Sequence, residues 1–199
     1  MTTLALYEDV LAPGARRELA GCNRVLYVAS GEASGVRADQ AWLGADDVTV
    51  EAGDEGATVL RWELTDWQPE GAKLAAHLDL DPWAEHLVRC DRVDFPPGGI
   101  AYRHTHPGAG IRCLLSGSIR IQGANGADET YGPFDAWFEA AGHAVLATAS
   151  ESEPTAFVRV MVLTREWEGK RTIQYLDPAD EERPKLQRAT ILLEAPVQL

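Results

Sequence analysis

Apolar and polar residues alternate with a period of two along much of this chain. The runs Thr58-Val59-Leu60-Arg61-Trp62-Glu63-Leu64 and Phe157-Val158-Arg159-Val160-Met161-Val162-Leu163 show the pattern, as do Arg24 to Ala29, Leu87 to Phe95 and Ile111 to Leu115. β-Branched and aromatic residues fill these runs and glycine- or proline-containing turns bound them, so strands are predicted rather than helices. Only Gly71 to Leu78 reads as a short helix, and Asp177 to Arg188 as a charged loop or frayed helix. An all-β chain is the expectation.

The pattern also repeats. Ala12-Pro13-Gly14 precedes the strand at Arg24 and the turn Ser30-Gly31, just as Pro96-Pro97-Gly98 precedes the strand at Ile111 and the turn Ser116-Gly117. Further on, Gly44 to Gly53 matches Gly132 to Gly142 with Asp47 aligned to Asp135, and each half closes on one of the two long apolar runs. Internal similarity on this scale predicts two like supersecondary units. The expected division is a β unit over 1–66, a surface connector over 67–85, a second β unit over 86–164, and an extension over 165–199 that packs on the barrels or on a dimer partner.

Charge and cysteine content narrow the function classes. A formal net charge of -13 argues against nucleic acid, whose phosphates call for clustered cations. Residues 1–9 show no basic segment leading into an apolar run, and nowhere do about 18 apolar residues run together, so a cytoplasmic protein without membrane contact is expected. The odd, widely spaced set Cys22, Cys90 and Cys113 suits free thiols in a reducing compartment.

Candidate chemistry concentrates in Arg103 to Gly117, RHTHPGAGIRCLLSG. In an extended strand His104 and His106 send both imidazoles to one face, which begins a divalent metal site. With Gly98 and Gly99 before the pair and Gly117 after it, the stretch resembles the first metal motif of the cupin family. Gly110 stands where that motif usually carries a glutamate. Gly132 to Gly142, followed by His143, resembles the second motif, with Ala140 in place of a proline. The resemblance implies an all-β cupin barrel, a double-stranded β-helix or jelly roll, present as two units. The first is degenerate: it has no histidine, reads Arg17-Glu18-Leu19-Ala20 where the pair would stand, and is expected to hold no metal.

By the same resemblance His104, His106 and His143 are the candidate ligands of a divalent metal, iron first, with manganese, nickel or zinc as alternatives. Glu139 is an alternative carboxylate. Alternation turns Tyr102 inward with the histidines, and Gly110, Arg112 and Leu114 inward from the returning strand. Tyr102 and Arg112 are the candidate catalytic residues, Arg112 as the grip on a substrate carboxylate. The other readings of Arg112 are an internal salt bridge to Asp135, Glu139 or Glu129, or a register one residue off that turns it outward. The expected function is a metal-dependent, dioxygenase-like oxidoreductase acting on a small organic molecule, in a homodimer. A non-catalytic ligand-binding cupin with a decayed metal site is the alternative, and a hydrogen-bonded histidine core pair is a third.

Overall fold

Ordering seventeen short strands into two β units is what the period-two pattern demands, and a computed structural model of the chain shows it over residues 2–124 and 126–198. One unit comprises 2–86 with 195–198, the other 87–194. Among the described residues no helix is long and apolar enough to cross a membrane.

The first unit contains β1 (Thr3–Leu11), β2 (Arg16–Leu19), β3 (Asn23–Ala33), β4 (Val36–Arg37), β5 (Ala41–Gly44), β6 (Val48–Thr65) and β7 (Leu74–His77). Its sheet runs in the order β4-β3-β6-β1-β7, with β2 on β6 and β5 on β3. The long strand β6 explains how one unit closes on itself: its first residues pair with β2 and its later ones with β1 and β3. Leu26, Val28, Val50 and Val59 lie at the centre of its apolar core. The segment read as a helical connector is partly a strand. Leu74–His77 pairs antiparallel with Thr3–Leu6, because an open edge of β1 offers backbone partners that outweigh a weak local helix preference.

The second unit contains β8 (His86–Phe95), β9 (Ile100–Thr105), β10 (Ala109–Ser116), β11 (Ile119–Gly123), β12 (Asp128–Tyr131), β13 (Ala136–Glu139), β14 (Val145–Ala149), β15 (Thr155–Thr164) and β16 (Gln174–Tyr175), with β17 (Arg188–Val197) entering it through Glu194. Two antiparallel five-stranded sheets form, β13-β10-β15-β8-β17 and β12-β11-β14-β9-β16. Their inner faces enclose Val93, Phe95, Leu114, Ile119, Trp137 and Phe157. The segment after β15 completes this unit: β16 pairs with β9, and the one α-helix among the described residues, α1 (Pro178–Glu182), starts at an Asp177 N-cap.

Candidate metal and substrate site

The site begins with a bulge in β9. Val145 of β14 faces His104 and Ala147 faces Ala101, so Tyr102 and Arg103 together stand opposite the single residue Leu146. An extra residue in one strand reverses the in-out parity beyond it. Ala101 and His104 therefore both line the interior cavity, and Tyr102 does not. The Tyr102 ring lies instead under the Arg183 guanidinium, 4.8 Å away. The inward direction expected for Tyr102 assumed a regular strand; what this residue brings to the site is its backbone carbonyl.

That carbonyl matters. His104 Nδ1 donates to Tyr102 O at 2.6 Å and His106 Nδ1 donates to Thr172 O at 3.2 Å. A carbonyl can only accept, so each Nδ1 carries the ring proton and each Nε2 of the neutral ring carries a lone pair. Burial lowers the pKa of both rings, for His106 well below the ordinary histidine range, with the Arg159 and Arg112 charges acting on it in the same direction. Two lone pairs thus face one another with Nε2 to Nε2 at 3.2 Å.

Two guanidinium groups flank the imidazoles. Arg112 of β10 is paired in register with Arg159 of β15, so two like charges sit directly opposite on one face and each requires its own carboxylate. Arg159 has Asp91 of β8, with Nε to Oδ1 at 2.6 Å and Nη2 to Oδ2 at 3.1 Å, and its Nη1 donates to His106 Nε2 at 3.2 Å. Arg112 has Glu139 of β13, with Nη2 2.7 Å from Oε2, and donates to Gly110 O at 2.6 Å. Burial pulls the Arg112 guanidinium down to about 10 while Glu139 opposes the fall, so it stays charged at neutral pH. Trp137 Nε1 donates to the second Glu139 oxygen at 2.8 Å.

These groups form one end of a cavity of about 340 Å³, a volume suited to a small organic molecule. His104, His106, Asp91, Glu139 and Arg159 line its polar end, and Phe95, Ile121, Trp137 and Phe157 line its apolar side. Arg112 is fully buried behind Glu139 and does not reach the cavity wall. It adopts the internal salt-bridge alternative, and the guanidinium on the cavity wall beside the histidines is Arg159. His143 is exposed in the turn before β14 and lines a second depression with Glu129 and Tyr131, on whose wall Ile121, Trp137 and Glu139 also stand. The inward position across from His104 belongs to Val145, so the structure does not bring His143 to the pair.

Asp91, Arg159 and Thr172 are the site residues that sequence reasoning missed. The first two left a signal: each is a charged residue inside an apolar run, at Leu87 to Phe95 and at Phe157 to Leu163. Thr172 left none, because it acts through its carbonyl.

The two imidazoles fit a metal. Their Nε2 separation is that of neighbouring ligands each about 2.1 Å from one ion. Among the described residues no group of three or more His, Cys, Asp and Glu side chains is assembled as a metal site.

No family model and no curated protein matches the sequence. Solved structures do. The Lactobacillus farciminis oxalate decarboxylase is similar over 92% of this chain and 82% of its own, at 14% identity and a TM-score of 0.68. AerE from Microcystis aeruginosa is similar over 80% of this chain and 88% of its own, at 13% identity and 0.61. The salicylate 1,2-dioxygenase of Pseudoaminobacter salicylatoxidans is similar over 95% of this chain and 73% of its own, at 10% identity and 0.56. With two antiparallel β units, one bearing a glycine-bounded His-x-His hairpin on its inner face, the chain has the cupin fold in a two-unit arrangement.

Proposed function

We propose that the second unit is a metal-dependent enzyme acting on a small organic carboxylate, with oxidoreductase chemistry of the dioxygenase type. The observation that carries this reading is the pair of tethered imidazoles whose lone pairs converge at 3.2 Å. Two acceptors in a buried site repel unless a cation lies between them, and holding both tautomers by backbone carbonyls keeps them ready for one. A bound first-row divalent ion, iron first, supplies electrophilic and one-electron chemistry there.

The chain's own residues supply binding and orientation. Arg159 has five N–H donors, of which Asp91 accepts from Nε and Nη2 and His106 from Nη1. One N–H on each Nη remains, the pair that grips a carboxylate through two parallel bonds. Phe95, Trp137 and Phe157 receive the apolar body of the molecule and exclude water from it. Two of the proteins of similar fold are named for carboxylic acids or their salts, oxalate and salicylate, which agrees with this choice of substrate class.

A second reading rests on the same cluster. The Arg159 N–H already meets the His106 lone pair, and each buried guanidinium is balanced by one carboxylate, as in a metal-free ligand-binding barrel. Metal analysis of untagged protein by inductively coupled plasma mass spectrometry separates the two. The enzyme reading expects near one metal per chain in the wild type and none in a His104→Ala, His106→Ala double variant. Absence of metal after anaerobic loading with iron, manganese, nickel and zinc overturns it and leaves the binding barrel.

A further inference from the structure

Gly110 cannot carry a side chain in this backbone. A Cβ built there would lie 2.3 Å from the Val160 carbonyl oxygen and 2.9 Å from Met161 Cα. Both atoms are backbone of the paired strand β15, so the approach of β10 to β15 requires glycine at this point. The residue is therefore more than a lost glutamate: the strand spacing leaves no room for any side chain.

A carboxylate nevertheless stands beside it. Gly110 pairs in register with Glu139 of β13, and directly opposed residues of an antiparallel pair share a face of the sheet. Glu139 is 9% exposed, lines the cavity, and has Oε2 3.9 Å from His106 Nε2. Its other oxygen is anchored by the Trp137 indole N–H, and Oε2 itself contacts Arg112. A carboxylate oxygen has two lone pairs, so Oε2 can keep one guanidinium contact and still offer a donor to the cavity.

We infer that Glu139 is the carboxylate donor of the metal centre, carried on β13 across from Gly110 instead of on β10. The inference rests on the metal-dependent reading of the site. It gives that centre two imidazoles and one carboxylate, the donor set suited to divalent iron with open positions for small molecules. Arg112 then becomes a positioning residue, which holds the carboxylate without reaching the cavity, while Trp137 holds it from the cavity wall.

The test is cobalt(II) titration of the chelator-stripped full chain, read by visible absorption and by metal content after desalting. Wild type, Glu139→Gln, and a Glu139→Gln, Arg112→Met double variant are compared, the last removing the guanidinium that the single change leaves unpaired. The expected result is one cobalt per wild-type chain, with affinity lower by roughly a hundredfold and an altered ligand-field spectrum in whichever Glu139 variant folds. Wild-type affinity and spectrum in the double variant overturn the role of Glu139 and leave the histidine site standing. No cobalt in the wild type overturns both.

Discussion

The two units set the same buried ion pair in the same places and finish it differently. In the first, Arg61 of β6 holds Asp9 of β1 with Nε to Oδ2 at 2.7 Å; in the second, Arg159 of β15 holds Asp91 of β8 at 2.6 Å. Each pair joins the first strand of its unit to the long strand hydrogen-bonded beside it. In the first unit the remaining reach of Arg61 goes to Glu63 at 2.7 Å and its guanidinium covers the Tyr7 ring at 4.0 Å. Glu63 in turn binds Arg24 at 3.1 Å, and Arg24 also donates to the Ala20 and Asp46 carbonyls. That network ends on protein. In the second unit the corresponding reach goes to His106 at the wall of an open cavity. The ion pair belongs to the scaffold of both units, and what separates a filled barrel from a site is the group placed beside it.

Removing one partner tests that distinction most severely. Asp91→Asn leaves the 6% exposed Arg159 guanidinium without a carboxylate, and about 3–5 kcal/mol should be lost in urea unfolding. Asp9→Asn should cost less, about 1.5–3 kcal/mol, because Arg61 retains Glu63. Equal losses would show that Glu63 does not compensate and that the two pairs are equivalent.

Packing at Gly110 is next. Gly110→Ala forces β10 from β15 and should destabilise by about 1–3 kcal/mol, with the cavity groups displaced. A variant as stable as the wild type would contradict the close approach at Val160.

The smallest effect is read from a thiol in the wild-type chain. Burial, and next the Glu63 charge, push Cys22 up to about 11. A raised pKa means less thiolate, so iodoacetamide should label Cys22 at pH 8 more than about a hundredfold more slowly than a free cysteine. Its rate should climb with pH until that value. Peptide mass spectrometry locates the label; a rate like that of a free cysteine would contradict the burial that holds the thiol protonated.

Legibility of the site varied with the kind of interaction. His104 and His106 were readable because two-residue spacing on an extended strand puts side chains on one face, and the cupin resemblance supplied the barrel. Alternation leaves open whether Arg112 turns inward, and whether it then meets Glu139 or a ligand depends on a neighbouring strand. Tyr102 was misread because a bulge leaves no mark in an alternation pattern, and the Leu74–His77 strand because it exists only where β1 offers an edge.

By itself the sequence determined the all-β character, the two-fold repetition, the histidine pair and the absence of histidine from residues 1–66, since each follows from local periodicity or from residue identity. The tertiary structure alone decided that Arg159 rather than Arg112 faces the cavity, that Val145 rather than His143 stands across from His104, and that Thr172 holds the His106 tautomer. These depend on the register between strands distant in sequence and on backbone carbonyls, which every residue carries and no pattern of side chains reveals.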